Sequence, residues 1–450
     1  MHSNLIGVGP ASDYTPNILN DDKTIGGFAR VATVIAERRK ARQAQGPVLV
    51  LDDGDYSMGT AFGAAIRETG GELQLLFQMG YDATTFGNHD FDLGPAGLGK
   101  AISVAAKAGR IPAVLAANTN FTGNDATLSE PQRLVKEGVI RRYTVIERGG
   151  LRFGLFGVIG KEAIFYATGA GAVSFSDAVE AAKDMVTVLR ETEKVDVVIC
   201  LSHSGLVEGK DGTVTDGDDV RLAKAVPGID VVVGGHSHTA LHKAIIVNDR
   251  TPVVQAGKYS EHVGELVITL DGDKHTVESY EHHPIDDTIS GDQAETDEIT
   301  KYKKIVSEAV FASRGYSVDQ PLVKVAQDVP NTFTDIVAGT PLANFVTDAF
   351  RRATGADIGF TANGMVRAGL MRGTFGVQTV YDVFAVAPLG GGVVDPTAGS
   401  ALVTAYLTGQ ELKHLLEFLL VDNPAHPGEF FPRPPACGSA MMRRAPGLTS

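Results

Sequence analysis

The stretch Gly87-Asn88-His89-Asp90-Phe91-Asp92, delivered by Tyr81-Asp82-Ala83-Thr84-Thr85-Phe86, decides how this chain is read. It sets an amide oxygen beside an imidazole, with a carboxylate three residues past that ring. Together these supply a hard metal donor, a group that carries a proton near neutral pH, and an acceptor that can fix the ring's tautomer. Gly-Asn after a strand is also ordinary turn chemistry. The stretch therefore takes its meaning from what the rest of the chain places around it.

Upstream, Val48-Leu49-Val50-Leu51 predicts a buried strand that ends in Asp52-Asp53-Gly54-Asp55. Carboxylates at the end of a buried strand are costly unless positive charge meets them. Downstream, Leu151 to Ile159 predicts an apolar strand, Asp177 to Glu193 a helix, and Val195 to Leu201 a strand running into Ser202-His203-Ser204. A further strand, Ile229 to Val233, ends in Gly234-Gly235-His236-Ser237-His238. Strands alternating with helices predict an α/β fold whose strand ends open onto one edge. Asp55, Asn88, His203 and the His236/His238 pair then sit at separate strand ends, and an extended backbone would aim both rings of the pair to one side. Oxygen and imidazole donors without sulfur suit Mn, Zn, Fe or a similar divalent ion. Two such ions sharing a carboxylate, for which Asp55 is placed, would polarise a phosphate and activate water.

The remainder bounds the function. At 450 residues, with 43% hydrophobic and 21% charged side chains, the chain is long enough for more than one globular domain. A net charge of −14 argues against a nucleic-acid partner. Two cysteines, Cys200 and Cys437, allow neither a disulfide framework nor a thiolate cluster. There is no apolar run of about 18 residues, so no membrane span is expected. Helices are predicted over Phe28 to Arg42 and Pro95 to Ala108, with a strand at Ala113 to Ala117. A charged helix over Asp292 to Ser313 leads to a second unit with a helix at Thr340 to Ala353, a strand at Asp357 to Phe360, and a strand and helix over Leu402 to Leu420. The Pro-, Arg- and Ala-rich stretch Pro432 to Ser450 predicts disorder.

Gly54-Asp55, Gly87-Asn88-His89-Asp90, His203 and Gly235-His236-Ser237-His238, in this order, resemble the metallophosphoesterase domain of the 5′-nucleotidase family. The resemblance implies a layered αββα catalytic sandwich over residues 1–290, a linker helix over 291–318, and an α+β substrate domain over 319–431, with 432–450 as a disordered tail. It implies two divalent ions, one held by Asp55, Asn88, His203 and His236, the other by Asp55, His238 and His2. His89, paired with Asp92, would protonate the leaving oxygen. Asn363 and Arg367 would contact the substrate, a small phosphate ester such as a 5′-nucleotide. A cyclic nucleotide, a nucleotide sugar, or a binding role for an impaired remnant stay open as alternatives. A periplasmic or extracellular location is implied. The family's first strand ends in Asp-x-His; here Met1 stands at x and His2 at the His. The chain is therefore expected to be truncated at both ends.

Overall fold

The computed structural model describes residues 1–209, 212–271, 274–332, 340–391 and 399–421. They fall into two compact units, one of residues 1–8 and 14–318, the other of residues 9–13 and the described residues from 319 onward.

The first unit is built on two sheets. β1 (Ala83–Thr85), β2 (Ala113–Leu115) and β3 (Ile140–Arg141) form a parallel sheet in the order β1-β2-β3. The larger sheet contains β4 (Tyr143–Arg148), β5 (Leu151–Ile159), β6 (Val197–His203), β7 (Val231–Gly234), β8 (Ile245–Val247) and β9 (Thr251–Val254). Its order is β8-β9-β7-β6-β5-β4, with β5, β6, β7 and β9 parallel.

Period-2 patterning decides which layer each side chain joins. Phe153 and Leu155 of β5, with Val197, Ile199 and Leu201 of β6, pack against Ala83 and Leu115 of the smaller sheet. Their neighbours Phe156, Val158, Val198 and Cys200 face outward and meet Ala182 and Met185 of α4 (Ala178–Thr187) and Val220, Leu222 and Ala223 of α5 (Asp218–Ala225). Strands buried on both faces read as continuous apolar runs, and these do. The outer layer of the smaller sheet includes α1 (Phe28–Arg42), α2 (Gly71–Met79) and α3 (Gly94–Lys107). Arg39, Lys40 and Arg42 lie in the last turn of α1, where the helix dipole favours cations. The result is the expected αββα sandwich.

A long hairpin, β10 (His262–Asp271) with β11 (Lys274–Pro284), belongs to the same unit. The charged helix after it, α6 (Gln293–Val306), is capped by Asp292 and buries Ile299, Tyr302 and Val306 within this same unit, against α1 and α2.

One predicted strand is reduced. Residues 48–51 make only the single bridge Leu51 to Ala83, and all four are half-buried. The carbonyl of Val48 instead accepts from the Arg148 guanidinium, and the Val50 N–H donates to the Asp82 carboxylate at 2.9 Å. Side chains thus occupy backbone groups that a ladder would use.

The second unit contains β12 (Pro321–Lys324) paired antiparallel with β13 (Val377–Thr379), and helices α7 (Pro341–Thr354), α8 (Val380–Val386) and α9 (Gly409–Val421). Leu342, Val346, Val366, Leu370 and Val386 form its core. The strands predicted at Asp357 to Phe360 and from Leu402 do not form. Gly359 lies so close to the Thr347 carbonyl that a Cβ there would collide with α7, and residues 401–408 are exposed with no ladder among the described residues. The predicted disordered stretch 432–450 lies outside the described residues.

Candidate functional site

The parallel strands deliver their carboxyl ends to one rim, and every predicted donor of the first unit arrives there. His203 is the last residue of β6, Asn88 follows β1 by a short turn, and His236 follows β7. Asp55 closes the loop after Leu51. His2 is set beside it by two backbone bonds, from His2 N to Asp55 O at 2.7 Å and from Ser3 N to Tyr56 O at 3.1 Å. The Ser3 hydroxyl anchors this segment by donating to the buried Glu72 at 2.6 Å.

The donors divide into two sets around one carboxylate oxygen. Asp55 Oδ2 lies 3.2 Å from His203 Nε2 and 3.5 Å from His2 Nε2. On the His203 side, Asn88 Oδ1 is 3.3 Å from His203 Nε2 and 3.1 Å from His236 Nδ1. On the His2 side, His2 Nε2 is 2.9 Å from His238 Nε2. Donor atoms bonded at about 2.1 Å to one ion stand about 3.0 to 3.4 Å apart. The His203 set has that spacing and the His2 set comes within 0.1 Å of it, and their chemistry, carboxylate, amide oxygen and imidazole without thiolate, fits hard to borderline divalent ions. Asn88 Nδ2 is buried with no hydrogen-bond partner, as befits an amide placed for its oxygen.

Charge agrees with the geometry. Burial would raise the Asp55 carboxyl, but the His203 and His2 rings beside it hold it well below the ordinary carboxylate range. Burial would depress His203, yet the Asp55 and Asp53 carboxylates push it up to about 9. His236 moves the other way, driven down by burial and by the neighbouring His203.

Backbone strain concentrates at the same place. Asp55, His236, His238 and His2 hold left-handed φ values of 49°, 70°, 58° and 55°. The extended backbone expected across His236 and His238 is therefore not what brings them in. Each ring enters from its own turn, His236 toward Asn88 and His238 toward His2. Gln255 holds this loop by accepting from Ser237 Oγ at 2.9 Å and Thr239 N at 2.7 Å.

His89 stands 5.3 Å from the His2 ring, centre to centre, and its Nδ1 lies 3.0 Å from Asp92 Oδ2. That contact fixes Nδ1 as the proton-bearing nitrogen toward Asp92 and turns Nε2 away from it. In the second unit, Arg367 is buried at 6% exposure, and its backbone N–H donates to Val386 O at 2.9 Å. Asn363 begins a short turn through Met365, and its side chain lies outside what is described.

Several contributors were not legible beforehand. Asp90 binds the two central loops together by accepting from the backbone N–H groups of Asp55 and Gly87. The Asp53 carbonyl accepts from His203 Nδ1 at 2.8 Å, and Tyr259 packs edge-on to both His2 and His238. Asp90 had a signal, since an acidic residue inside a glycine turn commonly accepts nearby backbone N–H groups. Tyr259 had none.

The sequence pattern of calcineurin-like phosphoesterases matches residues 2–240, more than half of the chain. The chain belongs to this family. A second match, to the 5′-nucleotidase C-terminal domain, covers residues 324–440. The chain is 29% identical over 413 residues to the trifunctional nucleotide phosphoesterase protein YfkN of Bacillus subtilis, an alignment covering 86% of this chain and 26% of that protein. It is 30% identical over 286 residues to the 5′-nucleotidase of Bos taurus, covering 60% of this chain and 45% of that one. The chain thus spans less than half the length of these curated relatives. Among solved structures it resembles a 5′-nucleotidase precursor from Thermus thermophilus, with a TM-score of 0.66 and 25% identity over 86% of this chain and 71% of the other.

Proposed function

We propose that this phosphoesterase holds two divalent ions and hydrolyses 5′-nucleotides or related small phosphate esters. The observation that carries the reading is Asp55 Oδ2, a single oxygen facing His203 Nε2 and His2 Nε2 at 3.2 and 3.5 Å. Asp55, Asn88, His203 and His236 would hold one ion, and Asp55, His2 and His238 the other. Bound ions supply Lewis acidity toward a phosphoryl oxygen and a water of lowered pKa.

The chain's own groups do the rest. The buried rim limits competing water and keeps the donors rigid, so little reorganisation accompanies reaction. His89 carries a proton on Nε2 for the departing alkoxide, and Asp92 stabilises the ring while it is cationic. In the second unit, Asn363 and Arg367 are the proposed substrate contacts, a guanidinium being suited to planar recognition of phosphate. The names of the relatives support a nucleotide substrate, and the family resemblance supports a periplasmic or extracellular location. No helix among the described residues is long and apolar enough to cross a membrane.

The test is hydrolysis of AMP, cyclic AMP, UDP-glucose and an aryl phosphate by chelator-stripped protein, with and without added Mn²⁺. Metal-dependent turnover with preference for AMP supports the reading. Preference for the cyclic or sugar nucleotide reassigns the substrate. No turnover of any ester, with fewer than two ions bound, leaves a binding protein.

A further inference from the structure

α5 opens with two carboxylates, Asp218 and Asp219, after a Gly217 N-cap that makes no side-chain bond. Acidic residues in a first turn are ordinarily explained by the helix dipole, and Asp218, which accepts from Arg221 at 2.7 Å, needs no other account. Asp219 does. It is fully buried, and among the described residues its Oδ1 has no hydrogen-bond partner. A buried carboxyl oxygen left unpaired costs stability. An apolar side chain beside Val220, Leu222 and Ala223 would not incur that cost, so stability alone does not explain the residue.

What the carboxyl holds is the segment after β6. Asp219 Oδ2 accepts from Gly205 N at 3.2 Å, and Asp219 N donates to Gly205 O at 3.1 Å, so both backbone groups of Gly205 are bound to one residue. The same oxygen fits against Gly234, the last residue of β7 and the register partner of Ser202 in β6; a Cβ on Gly234 would lie 2.5 Å from it. Gly205 in turn lies against a proposed ligand. A Cβ there would stand 3.3 Å from Cδ2 of the His236 ring and 3.6 Å from the Ser237 Cβ. One residue further on, Leu206 N donates to Ser237 Oγ at 3.0 Å and laces the two loops together. The contact matters because His236 holds a left-handed φ of 70°, a conformation that persists only where its surroundings over-determine it.

We infer that Asp219 is a positioning residue, which through Gly205 sets the His236 ring for the ion proposed to be shared by Asp55, Asn88, His203 and His236. The inference rests on the proposed two-ion reading. Groups that orient a ligand from behind tune affinity without touching the ion. The effect is confined to one side of the rim. His238 enters from a separate turn, where Gln255 accepts from Thr239 N at 2.7 Å, and His2 is tied by its N–H to Asp55 O at 2.7 Å. Removing the Asp219 carboxyl therefore weakens one ion and spares the other.

The test uses the full chain, stripped with chelator and dialysed against graded free Mn²⁺ alone, with bound manganese counted by mass spectrometry. Asp219→Ala is expected to need about 10- to 100-fold more free Mn²⁺ to fill one of two sites, with the other unchanged. Its melting temperature should stay within about 4 °C of wild type, because the lost Gly205 bond is offset by removal of an unpaired buried oxygen. Asp219→Asn keeps an acceptor for Gly205 N and should bind both ions as wild type does. Burial pushes the Asp219 carboxyl up to about 8, so at neutral pH this change replaces one neutral group with another. Gly205→Ala aims a methyl at the His236 ring with Asp219 intact and should weaken the same ion; it decides the matter if Asp219→Ala melts far lower. Wild-type affinity in Asp219→Ala, or equal weakening of both ions, overturns the inference. Fewer than two ions on the wild type would instead count against the two-ion reading. The inference then rests on ring-nitrogen NMR of the ion-free protein, where the His236 signals should move in Asp219→Ala and stay in place in Asp219→Asn; unmoved signals in Asp219→Ala overturn it.

Discussion

The carboxylate of Asp90 accepts the backbone N–H of Asp55 at 3.0 Å through the same oxygen that accepts Gly87 N at 2.8 Å. Its other oxygen accepts from Ser57 N at 3.1 Å and Ser57 Oγ at 2.7 Å. One buried side chain therefore fixes the loop carrying Asp55 to the turn carrying Asn88. Asp90→Ala strands these donors and loosens both loops. Because a displacement of about 1 Å can cost about 100-fold in rate, kcat/KM toward an aryl phosphate should fall by about that factor. The number of bound ions should fall with it, which a purely local defect would not produce.

Gly54 and Gly87 meet where the two loops touch. A Cβ on Gly54 would lie 2.5 Å from Gly87 N, and one on Gly87 would overlap the Asp55 carboxylate. Gly87→Ala should therefore abolish activity and metal retention while costing about 1 to 3 kcal/mol of stability, as expected of overpacking. Thermal melting and ion counting measure the two effects.

His89 and Asp92 are assigned to proton delivery, which matters in proportion to how poor the leaving group is. His89→Ala should slow hydrolysis of an alkyl phosphate or AMP by about 100-fold or more. With p-nitrophenyl phosphate, whose phenolate leaves unaided, the loss should be far smaller. Equal losses on both substrates would assign His89 to holding the site together.

The Arg30 guanidinium and the Asp22 carboxylate form a 2.7 Å ion pair with both side chains fully buried, reinforced by Thr24. Asp22→Ala leaves a buried cation unpaired and should cost about 3 to 5 kcal/mol. Burial would raise the Asp22 carboxyl, but hydrogen bonds from Thr15 and Thr24 and the charge of Arg30 bring it below its ordinary value. Its contribution to stability is thus complete above the ordinary carboxylate range and is lost as pH falls through the lower folded value. Asp22→Asn should flatten that acid limb in melting curves taken below about pH 4.

Glu295, in the first turn of α6, has the opposite sign. Burial pushes its carboxyl up to about 8, despite a 2.8 Å bond from Gln78. The folded form keeps the proton that the unfolded chain releases at the ordinary value, so this contribution is complete at low pH and disappears as pH rises toward 8. Glu295→Gln should remove that dependence and raise the melting temperature at pH 8 relative to wild type.

The rim was legible in sequence because donors at successive strand ends converge once the strands are parallel, and Asp55, Asn88, His203 and His236 do. Less was legible where the outcome depends on partners distant in the chain. The run Val48-Leu49-Val50-Leu51 has strand composition, but the Arg148 and Asp82 side chains take up its backbone groups. The apolar residues from Leu402 form no strand because no partner pairs with them among the described residues. Asp90 was passed over beside the more familiar chemistry of His89. The hairpin carrying His262 and His282 had a usable signal, period-2 alternation around Asp271-Gly272-Asp273.

Left-handed φ at Asp55, His236 and His238 costs each residue about 1 to 3 kcal/mol that glycine would not incur. A glycine at any of the three would relax the chain while deleting a donor atom. Here thermal robustness and chemistry pull apart at individual positions. A library screened for folding alone should drift toward glycine at these turns and return proteins that melt later and bind no metal at the rim.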